Sequence, residues 1–458
     1  MCGIAALFNR ENASFGVVES LFAQQHRGQD SAGLVSSDGE KLFSHFGLGL
    51  VKDTFKNEIL LNLQGKIAIG HVRYPTQGKV SLCNCQPHIF RFDGEEIFAL
   101  ASNGDITNLP ELSEEITKAG LKIEGENDAE IMTKFIGLQI AKKNFSLIEA
   151  IYLWMEKAKG AYSAVLMTKN ELYAFRDPWA FRPMCYGVKD DFVSVVSESV
   201  ALDILRIPYK GEIPAGTIYR WGKSGLKIFE KKTSKPLRHC IFEHIYFSRP
   251  DSIVFGEKVF EVRRKIGALL AENDKVAADC VIAVPDSSNY IGLGYAEKRN
   301  IPFVLGLVRN HYVGRTFIAP DQITRDEGVR FKFNPLPSFF QGKRVILVDD
   351  SIVRGTTIKK LIRMLKENGA LEVHLRIGSP PIKYSCFYGV DTPNREKLIA
   401  SKMEIEEIQN FIGADTLKYL SIEDLKKCVN IPDNYCYACF NGDYPAGEKT
   451  HPSLVSGK

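Results

Sequence analysis

Arg344-Val345-Ile346-Leu347-Val348-Asp349-Asp350-Ser351-Ile352-Val353-Arg354-Gly355-Thr356-Thr357 carries more information than any other segment of this chain. Its apolar run has no alternation, the pattern of a strand buried on both faces of a parallel sheet. The run ends in two adjacent carboxylates and a loop with hydroxyls and a glycine, and residues 357–366 read as the helix that follows. In open α/β sheets, ligands bind beyond the C-terminal ends of the strands. A helix N-terminus with free N–H groups and hydroxyls suits a phosphate. Paired acids suit sugar hydroxyls and Mg²⁺, a hard cation that prefers oxygen. An Asp-rich turn would account for Asp349-Asp350 alone, but not for the whole string.

The alternation of strand and helix extends both ways. Residues 280–284, 302–307 and 373–377 read as short apolar strands and 289–299 as a helix, which predicts an α/β domain with a parallel sheet over residues 240–399. Residues 2–233 have a different texture. Strand-like runs at 67–72, 161–167, 172–175 and 192–196 are interrupted by helical patterns at 129–141 and 147–159, predicting an α+β domain of sheets covered by helices. Residues 400–458 read as a tail of short charged helices.

Met1-Cys2-Gly3-Ile4-Ala5 opens the chain, so removal of one Met places a thiol and an α-amine on the same residue. A thiolate is a strong nucleophile, and an α-amine with a pKa of roughly 8 can serve as a base near neutrality. Polar, Gly-rich clusters follow between the strands: His26-Arg27-Gly28-Gln29-Asp30, His71-Val72-Arg73-Tyr74-Pro75-Thr76-Gln77-Gly78, Asn84-Cys85-Gln86-Pro87-His88, Ser102-Asn103-Gly104-Asp105 and Asn127-Asp128-Ala129-Glu130. Any one of them alone is no more than a turn.

Together with Cys2 and in this order, these clusters resemble the glutaminase domain of the N-terminal-nucleophile amidotransferases, which implies an αββα sandwich. The resemblance makes Cys2 the nucleophile toward the glutamine amide, with its own amine moving the proton. Asn103 and Gly104 would form the oxyanion hole. Arg73 with Thr76 would clamp the substrate carboxylate, Asp128 would pair with its ammonium, and Arg27 would help close the pocket. The sequence departs from that pattern at Asp105, where a second Asn is common, at Gln77, and at Cys83 and Cys85, which read as packing cysteines.

The Asp349-Asp350 string resembles the phosphoribosyl-pyrophosphate (PRPP) motif of the type I phosphoribosyltransferases. Asp349 and Asp350 would hold the ribose hydroxyls, partly through Mg²⁺. Ser351, Arg354, Gly355, Thr356 and Thr357 would cradle the 5-phosphate. Val284-Pro285-Asp286-Ser287-Ser288 resembles the pyrophosphate loop, with Asp286 in it and Ser287 at a position that contacts Mg²⁺. The stretch from Arg315 to Lys332 resembles a lid over PRPP. Both domains in one chain resemble the amidophosphoribosyltransferase family. That implies glutamine and PRPP as substrates, purine nucleotides as feedback inhibitors and a homotetramer. A silent nucleotide-binding paralogue would be marked by loss of Cys2, Asn103 or Asp349-Asp350, and all are present.

The tail carries Cys436-Tyr437-Ala438-Cys439, with Cys240 and Cys386 as distant partners. Four thiolates suit either Zn²⁺ or a [4Fe–4S] cluster. The contexts of Cys240 and Cys386 resemble the iron–sulfur subgroup of the family, which implies the cluster, structural and far from either reaction. Cys185, Cys280 and Cys428 read as core residues. At 458 residues, 45% apolar and 25% charged, with a net charge of +4, the composition is that of a multidomain globular protein with no case for nucleic acid. Asn9, Arg10, Glu11 and Glu19 exclude a secretory signal, and no apolar run is long enough for a membrane span. Ten cysteines then point to reduced thiols in a cytoplasmic protein.

Overall fold

The computed structural model describes residues 1–74, 78–231, 234–311 and 331–449. In the first half two antiparallel sheets face each other. One has the strand order Tyr209–Glu212, Cys185–Lys189, Phe192–Val196, Gly3–Phe8, Ile67–Arg73, Ser31–Ser37, Leu42–Leu48. The other runs Gly225–Glu230, Thr217–Gly222, Leu172–Arg176, Gly160–Met167, Glu95–Ile106, His88–Phe92. Alternation along single strands sorts the side chains into layers. Ile4 and Ala6 meet Ala99, Ala101, Val165 and Met167 between the sheets. Ala5 and Leu7 turn outward beneath the helix Ala13–Ala23. Phe98 and Leu100 face the helices Leu109–Lys118, Asp128–Lys143 and Leu147–Lys157. The result is the expected αββα sandwich, with helices starting and ending within two residues of the sequence reading. Asp128–Lys143 starts where the Asn127 side chain accepts the Glu130 N–H, and a Ser146/Glu149 capping box opens Leu147–Lys157.

The second half is built on four parallel strands in the order Cys280–Ala283, Arg344–Asp349, Glu372–Ile377, Thr416–Tyr419. Val281, Ile346 and Val348 pack against the helices Val259–Ala271 and Asn289–Arg299 on one face. Ile282, Val345 and Leu347 pack against Thr356–Glu367 and Ile405–Ile412 on the other. Apolar residues at successive positions are thus consumed by two covered faces.

Two expectations are corrected here. The stretch 302–307 is not a full strand. Its pairing is one bridge of Phe303 to Val281, and the strand that follows, Leu307–Arg309, pairs instead with Phe333–Pro335. Pro302 has no N–H to donate, and the bonds to the parallel sheet are Val281 N–H on the Pro302 carbonyl and Val304 N–H on the Val281 carbonyl. The boundary at 399/400 is also displaced. Thr416–Tyr419 completes the parallel sheet, and Tyr419 and Leu417 join its core, so much of the tail belongs to the second domain. Among the described residues no helix is long and apolar enough to cross a membrane.

The helices Val259–Ala271 and Asn289–Arg299 touch backbone to backbone. A Cβ on Gly267 would lie 1.9 Å from the Ile291 carbonyl oxygen, and one on Gly294 2.1 Å from that of Arg264. Backbone cannot yield as a flexible side chain would. Gly267→Ala is therefore expected to cost about 3 kcal/mol, the upper end of ordinary overpacking, read as a lowered urea midpoint.

Candidate active sites

Cys2 lies at the start of the central strand Gly3–Phe8 and is buried. Its N–H donates to Asn103 Oδ1 at 2.9 Å, and its Sγ lies 3.6 Å from the Tyr74 carbonyl oxygen. Asn103 comes from the facing sheet, so the site is made where the two sheets meet at one end. The Asn103 Nδ2 group is buried with no hydrogen-bond partner among the described residues. A donor left in this state costs about 1–3 kcal/mol and is poised for an acceptor that arrives with a ligand. Gly104 is required by space, because a Cβ there would sit 1.9 Å from the Ala161 carbonyl oxygen.

Asp128, at the first position of its helix, is also buried, with Oδ2 unpartnered among the described residues. Burial pushes its carboxyl up to about 8, with Asp105 and then Cys2 adding to the rise, while Lys449 and the Ala129 N–H oppose it. Such a carboxylate is in want of a cation. Arg73 is buried at the end of Ile67–Arg73 and donates to the carbonyls of Lys79 and Gly78 at 3.2 and 3.4 Å. Thr76 and Gln77 lie outside the described residues. Cys85 packs in the interior as expected, but Cys83 is exposed, its Sγ 3.1 Å from Ser81 Oγ.

Arg27 sits differently from the pocket-closing position expected of it. It is wholly buried, and its Nε donates to the Cys2 carbonyl at 2.9 Å. Its Nη atoms grip Glu243 at 2.8 and 3.0 Å, and Nη1 also bonds Glu198. Glu198 further accepts from His26, the Arg249 N–H and Ser252, and Glu243 from Ser248 and Arg182. Burial opposes ionisation of Glu198, but His26 and Arg27 outweigh it and hold the carboxyl well below the usual range. For Glu243, Arg27 and Arg182 do the same against burial. Arg27 is thus spent on positioning Cys2 and on joining the first domain to the segment that follows it.

At the C-terminal edge of the parallel sheet, Ala283 pairs with Val348, so the loops after these neighbouring strands stand side by side. Asp350 is buried and accepts from Ser287 at 2.6 Å, Ser351 at 2.6 Å and Ser288 at 3.4 Å. Asp349 accepts from Ser288 at 3.1 Å and from the Asp350 N–H. Burial raises both carboxyls, Asp349 further through its neighbour Asp350, while Lys332 lowers it. Asp286 is paired with Arg309 at 2.7 Å. Gly355 takes φ +76°, the left-handed turn into Thr356–Glu367, and leaves Arg354, Thr356 and Thr357 exposed at that N-terminus. Arg315 lies outside the described residues. Lys332 lies at the foot of the expected lid, where the Asn310 N–H bonds its carbonyl.

Cys240, Cys386, Cys436 and Cys439 line one cavity, walled by Phe181, Ile382, Tyr388 and Val390, with Arg182 at its edge. Cys240 and Cys436 stand opposite each other in a two-stranded parallel pair. Burial pushes up the thiols of Cys240, Cys436 and Cys439, each raised further by its companions. Among the described residues no three His, Cys, Asp or Glu side chains converge on a point that could hold a single ion. The cavity is not remote from the first domain, as the sequence had suggested. Phe181 and Arg182 come from that domain, Phe181 stacks on Tyr388 at 4.4 Å, and Gly389, three residues after Cys386, lies against the backbone of Gly104.

Residues 81–203 match a family described as a glutamine amidotransferase domain. Amidophosphoribosyltransferase 1 of Arabidopsis thaliana chloroplasts is 44% identical over 450 residues, 97% of this chain and 78% of the relative. The Bacillus subtilis amidophosphoribosyltransferase is 42% identical over 97% of this chain and 94% of its own length. The chain belongs to the amidophosphoribosyltransferase family. The B. subtilis glutamine PRPP amidotransferase, solved in complex with ADP and GMP, superposes with a TM-score of 0.91 at 41% identity over 97% of each chain. A structure of the allosteric regulatory enzyme of purine biosynthesis superposes with a TM-score of 0.93 at 40% identity, over 99% of this chain and 98% of that one. The enzyme converts glutamine, PRPP and water to 5-phosphoribosylamine, pyrophosphate and glutamate, the first committed step of purine biosynthesis.

Several residues of these sites had no place in the sequence reading. Glu198, Glu243 and Arg182 complete the charge network, Tyr74 meets Asp391 across the domains at 3.1 Å, and Lys449 pairs with Asp105. The Glu243 signal was available, since it follows Cys240-Ile241-Phe242, but it carried no partner. Arg27→Met strands two buried carboxylates. It should lower stability by about 3–5 kcal/mol, measurable in denaturant with the thiols kept reduced.

Proposed function

We propose that Cys2, once the Met1–Cys2 bond has been hydrolysed, attacks the side-chain amide of glutamine. The observation that carries this reading is the double use of Asn103. Its Oδ1 already accepts from the Cys2 nitrogen, and its buried Nδ2 has no partner among the described residues. Once Met1 is gone, that nitrogen is the α-amine. Burial favours the free-base form of an amine, and the neighbouring Met1 amine is pushed down to about 5 for that reason. The Cys2 amine takes the thiol proton and returns it to the leaving nitrogen as the C–N bond breaks. Asn103 Nδ2 and the Gly104 N–H receive the oxyanion, and water then hydrolyses the thioester to glutamate. Arg73, with Thr76, receives the substrate carboxylate, and Asp128 receives its ammonium. Arg27 holds the Cys2 carbonyl and so fixes the nucleophile.

Ammonia must reach PRPP unprotonated, because ammonium is not a nucleophile. In the second site Asp349 and Asp350 hold the ribose hydroxyls. Ser351, Arg354, Gly355, Thr356 and Thr357 hold the 5-phosphate, and Asp286 and Ser287 face the pyrophosphate. Two carboxylates with a serine suit Mg²⁺, which is commonly held by one or two carboxylates together with substrate phosphates. Bound there, it would neutralise the charge of the departing pyrophosphate. Residues 315–332 form the lid over PRPP. The four cysteines fit a [4Fe–4S] cluster, whose thiolates bind separate irons around a cavity rather than one ion at a point, and it would tie Cys240, Cys386, Cys436 and Cys439 together. We assign the enzyme to the cytoplasm as a homotetramer inhibited by purine nucleotides; the nucleotide part of this reading is supported by the ADP and GMP in the B. subtilis complex.

Two reciprocal variants test the assignment. Cys2→Ser should abolish glutamine-dependent synthesis and spare ammonia-dependent synthesis. Asp349→Asn should impair PRPP use with either nitrogen donor and leave basal glutamine hydrolysis. Joint loss of both activities in Cys2→Ser would overturn the two-site reading.

Anaerobically purified protein should be brown, with iron and acid-labile sulfide, and Cys436→Ala should lose both along with solubility. Active protein loaded with zinc, or free of metal, would refute the cluster and leave the catalytic roles standing.

A further inference from the structure

Asp105 stands two residues beyond Asn103 on the same strand, where it is buried and pairs with Ala161 across the sheet. A carboxylate in this place has no role in the chemistry described above, and it adds negative charge beside Asp128. The structure supplies a cation for it from the far end of the chain. Lys449 Nζ lies 2.8 Å from Asp105 Oδ2, the two side chains only 15% and 5% exposed. The segment that delivers Lys449 is fastened across Ser385 and Tyr388, on either side of Cys386. The Ala446 N–H donates to the Tyr388 hydroxyl at 2.9 Å, that hydroxyl donates to the Gly447 carbonyl at 3.0 Å, and the Tyr444 hydroxyl donates to the Ser385 carbonyl at 2.5 Å.

We propose that Lys449 is a positioning residue of the glutaminase site, which neutralises Asp105 and so leaves Asp128 free to carry the negative charge that holds the substrate ammonium. This rests on the role given to Asp128 above. Two carboxylates in one buried region cannot both ionise without a cation, and one of them takes a proton instead. Asp128 ionises to meet a bound ammonium, and with Lys449 in place Asp105, Asp128 and Lys449 then sum to the single negative charge that the ammonium of one glutamine balances. Without Lys449 the charge to be buried doubles. Asp128, whose ionisation burial, Asp105 and Cys2 already oppose and only Lys449 and the Ala129 N–H favour, then becomes harder to ionise. A protonated Asp128 offers the ammonium a weaker partner. Glutamine affinity falls while the nucleophile and oxyanion hole are untouched. The C-terminal segment thereby reaches into glutamine recognition, although the remainder of its length serves the second domain and the cysteine cavity.

The test compares the native enzyme with Lys449→Met, Lys449→Arg and the double variant Lys449→Met/Asp105→Asn, using glutamine and ammonia as alternative nitrogen donors. Lys449→Met should raise the KM for glutamine about tenfold at pH 7, the order expected for weakening one charged hydrogen bond, with kcat changed far less. The defect should shrink as pH rises toward 9 and Asp128 ionises. Lys449→Arg should keep the native KM, and the double variant should return it to within about twofold, because removing the second carboxylate removes the need for the cation. Ammonia-dependent synthesis reports whether each variant folds. An unchanged KM in Lys449→Met, or a double variant no better than the single one, overturns the proposal. Absence of glutamine hydrolysis in the native enzyme would overturn the glutaminase assignment itself, and this inference with it.

Discussion

Two arginines and two glutamates, all buried, hold this enzyme in register. Arg27 and Arg182 face Glu198 and Glu243 with every one of these side chains inaccessible to solvent. Burying an ion costs several kcal/mol, and the cost is met only when charges balance and lone pairs are filled. Here two cations face two anions, and His26, Ser248, Ser252 and the Arg249 N–H occupy the remaining carboxylate sites. The network constrains geometry more than it adds stability. Arg27 fixes the Cys2 carbonyl, Glu243 fixes Arg27 from beyond the domain boundary, and Arg182 carries the network to the wall of the cysteine cavity. The nucleophile cannot shift without unbalancing charge that has no access to water.

The two reaction sites are prepared in opposite ways. The glutaminase site holds its donors and acceptors unpaired, with Asn103 Nδ2 and Asp128 Oδ2 bare and buried. A ligand that paired with them would gain their full interaction, because nothing has to be broken first. At the second site the carboxylates are already clothed by Ser287, Ser288 and Ser351. Hydroxyls can rotate to new partners, so these serines satisfy Asp349 and Asp350 without being locked to them. A hydroxyl shell of this kind lets Asp350 be buried beside the half-buried Asp349.

Local features of these sites were legible in the sequence, and distant ones were not. The unbroken apolar run at 345–348 and the glycine turn into a helix specify strand and helix within a few residues, and both stand in the structure. Cys2, Asn103 and Asp128 came from clusters whose residue types fit one reaction. Arg27 was legible as functional but not in its role, because its partners lie 171 and 216 residues away and a glutamate in sequence carries no address. Thr416–Tyr419 was hidden for a different reason. It is a four-residue edge strand inside a charged stretch, where the apolar signal is two side chains. Asp105 was noticed as a departure, but its cation lies at the far end of the chain.

The segment following Cys386 is where these separate pieces meet. Cys386 lines the cavity, Tyr388 stacks on Phe181 of the first domain, Gly389 lies on Gly104, and Asp391 accepts from Tyr74. Gly389 has φ +101° and no Cβ, which is what allows two backbones to approach so closely. Within six residues, one run of chain therefore touches the cysteine cavity, the strand that bears Asn103 and Gly104, and Tyr74 beside Cys2. Packed backbone contacts of this kind do not deform gradually. The run that carries Cys386 is thereby held in contact with the backbone of Gly104.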